Sequence, residues 1–268
     1  VAYYPFLNQP FTKFPTSNIE TYKQLAHKAE ENTYTVKDVE LIENKNGFAI
    51  NKNWISDLAF HTQVVIKKSE LNYAHGRILY SVLRNYLEKN PEKNKAINIV
   101  ETGTARGFSS LCMAKALFDS NFKGTIYTFD VLPHETKMFW NCVSDYKKGM
   151  QSRKDLLNKW SELVENYIIF IQGFTRLTLP KFSFSRINFA FLDGAHSYND
   201  VLFEFNLIEK YQKKGDIIVF DDYNIRDFPG IAKAIDHIAS EKKYLVEIVR
   251  NKRTLRDYAI AEKIIPDK

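Results

Sequence analysis

The chain has 268 residues, and 38 Lys plus Arg against 32 Asp plus Glu leave a formal charge of +6. With 44% hydrophobic and 26% charged residues it can bury a core, which excludes a disordered chain, and its length suits one large α/β domain or two small ones. No apolar run nears the roughly 20 residues needed to cross a bilayer, and no charged-then-apolar signal segment opens the sequence, so no membrane partner is expected.

The first 65 residues are rich in Tyr, Phe, Asn and Lys, including Tyr3, Tyr4, Phe6, Phe11, Phe14, Trp54 and Phe60. Helical hints run from Ile19 to Glu31 with little strand periodicity, so residues 1–65 read as an N-terminal cap or lid ahead of a main domain over 66–268. A stronger helix is predicted from about Ser69, its candidate N-cap, to Leu87, with Leu71, Ile78, Leu79, Val82 and Leu83 on one face. From Ala96 short apolar runs alternate with amphipathic helices. The runs are Ile97 to Val100, Thr125 to Phe129, Tyr167 to Ile171, Ile187 to Leu192 and Ile217 to Phe220. Each is too short for a helix and lacks polar alternation, as in strands of a parallel sheet buried on both faces.

The densest basic stretch, Lys147 to Lys159, carries Lys148, Arg153 and Lys154 among Asp155, Leu156 and Leu157, with Trp160 just beyond. It reads as a solvated helix face, and although the pI is near 9 no nucleic-acid partner is expected. Further on, Val201, Leu202, Phe205, Ile208 and Tyr211 step along one helical face, with Gly215 as its expected C-terminal cap. After a helix from about Gly230 to Glu241, Tyr244 to Val249 and Leu255 to Ala261 form a terminal antiparallel hairpin. The predicted fold is therefore α/β: a Rossmann-like, doubly wound, mostly parallel sheet whose ligand sits at the carboxyl ends of the strands. Two cysteines, Cys112 and Cys142, are too few for a disulfide framework, which suits a reducing compartment. Cytoplasm is the expectation, with a start at Val1 rather than Met leaving targeting open, and a homo-oligomer is the one protein partner left open, since nothing in the sequence sets the oligomeric state.

The first strand runs into Glu101-Thr102-Gly103-Thr104-Ala105-Arg106-Gly107-Phe108-Ser109-Ser110 and then a helix. Glycines at such a turn let backbone approach a ligand beside the unpaired N–H groups of the helix start. A dinucleotide fingerprint would be G-x-G-x-x-G; here the spacing is Gly103, Ala105, Gly107, with an acid two residues before the first glycine that suits a ligand with a cationic amine. Asp130 follows the second strand, 23 residues past Gly107, where an acid can accept from both hydroxyls of a ribose or, more blandly, cap Thr136.

The glycine loop, Thr128-Phe129-Asp130, Leu192-Asp193-Gly194-Ala195-His196-Ser197-Tyr198 and Val219-Phe220-Asp221-Asp222-Tyr223 together resemble class I S-adenosylmethionine-dependent methyltransferases. The resemblance covers roughly Ile97 to Tyr258 and is nearest the branch of metal-dependent small-molecule O-methyltransferases that includes macrolide-sugar and glycoside enzymes. Ala105 departs from it, since many such enzymes carry glycine there. The resemblance implies that Glu101, Gly103 and Gly107 surround the methionine part of S-adenosylmethionine, Asp130 its ribose, and Gly173, Phe174 and Thr175 its adenine, with Thr104, Ser109 and Asp193 also binding the cofactor.

Asp193, Asp221 and Asp222 follow adjacent strands and would bring three carboxylates to one edge of the cleft. Singly each would more often cap a helix; jointly, and with the family pattern, they imply a divalent cation, Mg²⁺ or else Mn²⁺ or Ca²⁺. His196, on the loop where an acceptor enters, is the expected general base, while His27, His61, His75, His134 and His237 are left structural. The expected activity is methyl transfer to a hydroxyl of a small molecule or sugar. Its rivals are an NAD-dependent oxidoreductase on the same sheet, against which the acid before Gly103 counts, and a non-catalytic S-adenosylmethionine-binding domain. A nucleic-acid amino-methyltransferase is disfavoured because the fourth strand does not end in an Asn/Asp-Pro-Pro-aromatic motif.

Overall fold

Five apolar runs make the parallel centre of one seven-stranded sheet. The computed structural model describes residues 17–67, 70–90, 95–252 and 256–265. In it, β1 (Ile97–Thr102), β2 (Gly124–Asp130), β3 (Ile168–Gln172), β4 (Phe189–Leu192) and β5 (Ile217–Tyr223) are joined by β6 (Tyr244–Val249) and β7 (Asp257–Lys263) in the order β3-β2-β1-β4-β5-β7-β6. The first five strands pair in parallel, and the C-terminal hairpin is antiparallel, with β7 set between β5 and β6. Leu255 and Ser69, predicted as a strand start and a helix cap, lie outside the described residues. The strand order reverses between β1 and β4, so their carboxyl ends flank the crevice where a doubly wound sheet holds its ligand.

The central strands are buried on both faces, and the period of two separates their side chains. In β4, Phe189 and Phe191 join one core with the N-terminal helices, while Ala190 and Leu192 join the core on the opposite face. One edge differs from the expectation of burial on both faces: in β3 Ile169 is 46% exposed, since an edge strand is less covered than a central one, and in the outer hairpin strand β6 Leu245 is 64% exposed.

α1 (Ile19–Tyr34), α2 (Lys37–Asn46), α3 (Lys52–Thr62) and α4 (Ala74–Lys89) precede the sheet. Asn18 caps α1 by accepting from Thr21 N–H at 2.9 Å and Asn51 caps α3 by accepting from Trp54 N–H at 3.0 Å. Arg77 of α4, buried, forms an ion pair with Glu43 of α2 and donates to Thr33 O at 3.0 Å, tying three helices together. Tyr22, Val39 and Ile55 from these helices lie in the same buried cluster as Ile97, Ile99 and Phe189 of the sheet.

α5 (Phe108–Asp119) follows β1; α6 (Val143–Lys148), α7 (Arg153–Leu156) and α8 (Ser161–Tyr167) link β2 to β3; α9 (Thr175–Thr178) follows β3; α10 (Tyr198–Glu209) and α11 (Pro229–Ser240) flank β5. Gly215 does not cap α10, which ends on Lys210. With φ +88 it turns the chain into β5 and donates its N–H to Lys263 O at 2.7 Å. Among the described residues no helix is long and apolar enough to cross a membrane.

Candidate active site

The glycine loop after β1 is built by close backbone approach. A Cβ on Gly103, whose φ is +89, would stand 2.4 Å from the carbonyl oxygen of Asp193, so only glycine lets the ends of β1 and β4 meet. Ala105 adopts φ +45, a conformation unfavourable for an L-residue. What holds it is a pair of opposite charges: its N–H donates to Asp130 Oδ2 at 2.5 Å, and its carbonyl accepts from Arg153 Nε at 2.9 Å. Asp130 also accepts from Leu132 N–H at 2.8 Å, and the Arg153 guanidinium lies 3.6 Å from its carboxylate. Burial pushes the Asp130 carboxyl up and Arg153 opposes that push.

Arg153 corrects the reading of 147–159 as a solvated face. Its side chain is only 2% exposed, with Trp140 and Phe170 each 5.5 Å from the guanidinium, and Trp160 is buried as well. The stretch is broken into short helices that turn this cation inward.

Glu101 does not open onto the cleft. In β1 it shares a face with Ile97 and Ile99, directed at α5, and is fully buried. There it accepts from the hydroxyls of Ser109 and Ser110 in the first turn of α5 and from Thr128 Oγ1 at 2.5 Å, which in turn is 2.5 Å from Thr104 Oγ1. Burial raises its carboxyl, the hydroxyls lower it, and the start of α5 favours its negative charge. Glu101, Thr104 and Ser109 thus brace the loop from beneath. Gly107, φ +85, starts α5 beside Leu157, so of the five loop residues expected to bind the cofactor only Gly103 lines the cavity.

That cavity, about 760 Å³, runs over the carboxyl ends of the strands. It is lined by Gly103, Ala105 and Asp130, by Phe174 and Thr175 at the start of α9, and by Asp193 and His196 at the mouth. Phe174 is 45% exposed into this space. Gly173, φ +146, donates its N–H to Asp130 O at 2.7 Å and positions Phe174 without lining the cavity.

The three aspartates after β4 and β5 lie near one another but do not make up one ligand group. The register of β5 on β7 slips by one residue between Phe220 and Tyr223, and Asp222 takes φ +56, a bulge that re-aims two consecutive carboxylates. Asp221, fully buried, is gripped by both Nε, at 3.0 Å, and Nη2 of Arg256, and Asp222 Oδ1 lies 3.0 Å from the same Nε. Burial works against ionisation of Asp222, but Arg256 and His196 hold its carboxyl down to about 2. The group whose ligand atoms lie within 4.8 Å of one another is Asp193, His196 and Asp222. His196 Nε2 is 3.4 Å from Asp222 Oδ2, and its ring packs on Phe228 with centroids 4.7 Å apart. The Asp193 carboxylate has no hydrogen bond among the described residues, and burial with the nearby Asp221 raises its carboxyl well above the ordinary range. Sequence reasoning missed Arg153, Arg256 and the buried Glu204, which lines the cavity from α10; a buried arginine carries no local signal, since its partners lie far along the chain.

Residues 100–223 match a family described as a methyltransferase domain. Protein R132 of Acanthamoeba polyphaga mimivirus, itself uncharacterised, is 43% identical over 65 residues, which are 24% of this chain and 28% of that protein. The O-methyltransferase TomG of Streptomyces achromogenes, solved in complex with S-adenosylmethionine, has a similar fold, with TM-score 0.56 at 15% identity over 81% of this chain and 92% of that one. An O-methyltransferase from Bacillus cereus in complex with S-adenosylhomocysteine gives 0.51 at 14% identity over 85% and 91%. A structure described as that of a putative O-methyltransferase from Klebsiella pneumoniae gives 0.55 at 13% identity over 91% and 100%. Residues 100–223 thus carry the match to a methyltransferase domain, and the sheet that presents the glycine loop and the cavity has the fold of these solved O-methyltransferases.

Proposed function

We propose that the protein transfers the methyl group of S-adenosylmethionine to a hydroxyl oxygen of a small-molecule or sugar acceptor, assisted by a divalent cation. The observation that carries the reading is one cavity running from Gly103 past Asp130 to Asp193 and His196. It puts a cofactor cradle and an acid–imidazole group at the same mouth.

Asp193 and Asp222 fit a hard cation. They are two carboxylates close together, one of them without a hydrogen bond among the described residues, and Mg²⁺ and Mn²⁺ are commonly held by one or two carboxylates plus water. Arg256 withholds Asp221 from that set. When bound, the cofactor supplies an electrophilic methyl, and the cation supplies a fixed positive charge that orients the acceptor hydroxyl and makes it more acidic. Asp130 accepts from the ribose hydroxyls, and the Gly103 turn admits the cofactor against bare backbone. With Nε2 of His196 facing Asp222, the favoured tautomer carries its proton there and leaves Nδ1 to take the hydroxyl proton. Residues 1–65, of which 1–16 lie outside the described residues, then serve as a cap or lid, in a cytoplasmic enzyme that acts on neither nucleic acid nor membranes.

The test compares wild type with His196→Ala in three assays: S-adenosylhomocysteine affinity, Mn²⁺ affinity and turnover with and without chelator. The expected result is wild-type turnover lost in chelator and restored by Mn²⁺ or Mg²⁺. The variant should retain affinity for both ligands but lose roughly 10²–10⁴-fold in turnover. Full activity of metal-free protein would remove the cation from the reading. Loss of Mn²⁺ binding in the variant would make His196 a ligand instead of the base.

A further inference from the structure

We propose that Glu204 reads the amino edge of the cofactor's purine and selects a 6-amino over a 6-oxo base. The proposal rests on the adenosyl-cofactor reading above and adds to it a specificity residue on α10.

The polar side chains lining the cavity divide by place. Asp130 ends β2, where the ribose is assigned, and Asp193 and His196 stand at the acceptor mouth. Arg176 and Asp200 pair with each other at the exposed rim, Nη2 to Oδ1 at 2.6 Å, with the guanidinium 4.5 Å from the Phe203 ring. Glu204 remains, with Thr175 hydrogen-bonded to it: Glu204 is 4% exposed yet lines the cavity. The other lining residues on α9 and α10 include Phe174, Leu177 and Phe203, with Leu132 from the loop after β2. A planar base asks for such a site, apolar against its faces with few fixed polar groups at its edge.

The Glu204 carboxylate accepts from Thr102 Oγ1 at 2.9 Å, and Thr175 also hydrogen-bonds it. A carboxylate has about four lone-pair sites, so acceptor capacity is left for an exocyclic N–H. Burial, the largest influence, lifts the acid to about 7, and a hydrogen bond made to a group so poorly solvated is strong, whereas a mismatch is costly. A 6-oxo purine would set a carbonyl oxygen against the carboxylate, two acceptors with no proton between them.

Calorimetry at pH 8 with three probes tests this: S-adenosylhomocysteine, S-inosylhomocysteine and the analogue whose purine is unsubstituted at position 6. Wild type should prefer the first over the second by roughly 30-fold or more, and over the third by about tenfold, because a site built around a polar contact rejects the ligand that lacks it. Glu204→Gln, isosteric and able to present either amide oxygen or amide N–H, should bind S-adenosylhomocysteine with a preference over the inosyl compound below about fivefold. An unchanged ratio in the variant would return Glu204 to a purely structural role. Equal wild-type affinity for the adenosyl and 6-unsubstituted compounds would do the same without any variant. Wild type binding none of the three would overturn the adenosyl-cofactor reading itself, an outcome distinct from the other two.

Discussion

Replacing Arg153 with Met should damage the fold and the cofactor site together. The substitution keeps an apolar stem between Trp140 and Phe170 but removes the guanidinium that faces Asp130 at 3.6 Å and donates to Ala105 O at 2.9 Å and Leu132 O at 3.4 Å. Asp130 would be left in a poorly solvated place with no cation opposite, driven further toward its protonated form, and breaking one side of a buried pair costs about 3–5 kcal/mol. The lost contacts also hold Ala105 at its positive φ, so the turn between Gly103 and Gly107 should relax and the cavity lose its shape. Urea unfolding should therefore register a loss of about 3 kcal/mol or more, and S-adenosylhomocysteine affinity should fall at least about tenfold among molecules that remain folded. Arg153→Lys, which restores the charge without the planar fork, should recover part of the stability and little of the affinity. A Met variant within about 0.5 kcal/mol of wild type, the spread usual for surface substitutions, would mean that Arg153 is the surface cation its neighbours in sequence suggest.

Two further outcomes follow from the same geometry. Glu204, raised from 4.5 to about 7 chiefly by burial, keeps its proton in the folded state over a range where the unfolded chain has released it. Its contribution to stability is thus greatest below pH 4.5, falls as pH rises and levels off above about 7, by about 3 kcal/mol in all. Denaturant titrations should show Glu204→Gln gaining on wild type by about that much between pH 4.5 and 8, and a pH-independent difference would refute the assignment. Gly103→Ala places a methyl 2.4 Å from the Asp193 carbonyl at φ +89. It should cost about 2 kcal/mol or more and abolish S-adenosylhomocysteine binding, and calorimetry finding near-normal affinity would show that the β1 and β4 loops can move apart.

The order of the elements and the ends of the central strands are local properties, carried by apolar runs and by the spacing of Gly103, Gly107 and Asp130. That is why the α/β fold, the glycine loop and the cavity at the carboxyl ends are legible in the sequence. Local pattern also marks Asp193, Asp222 and His196, because all three follow strands that end beside the crevice. Direction is a different matter. Glu101 and Gly103 are two residues apart, yet Glu101 lies on the face of β1 that meets α5 while Gly103 turns into the cleft. Asp221 and Asp222 are adjacent, and their roles are separated by a bulge that appears only in the pairing of β5 with β7.

By itself the sequence determined which elements form, in what order, and which strand ends carry acids, since these depend on hydrophobic periodicity and backbone freedom within a few residues. Only the tertiary structure decided which charges are neutralised. Arg153 reaches Asp130 from 23 positions away and Arg256 reaches Asp221 from 35. Such pairs are formed by burial: a charge removed from water must find an opposite charge or donors wherever packing places them, and chain distance does not enter that requirement.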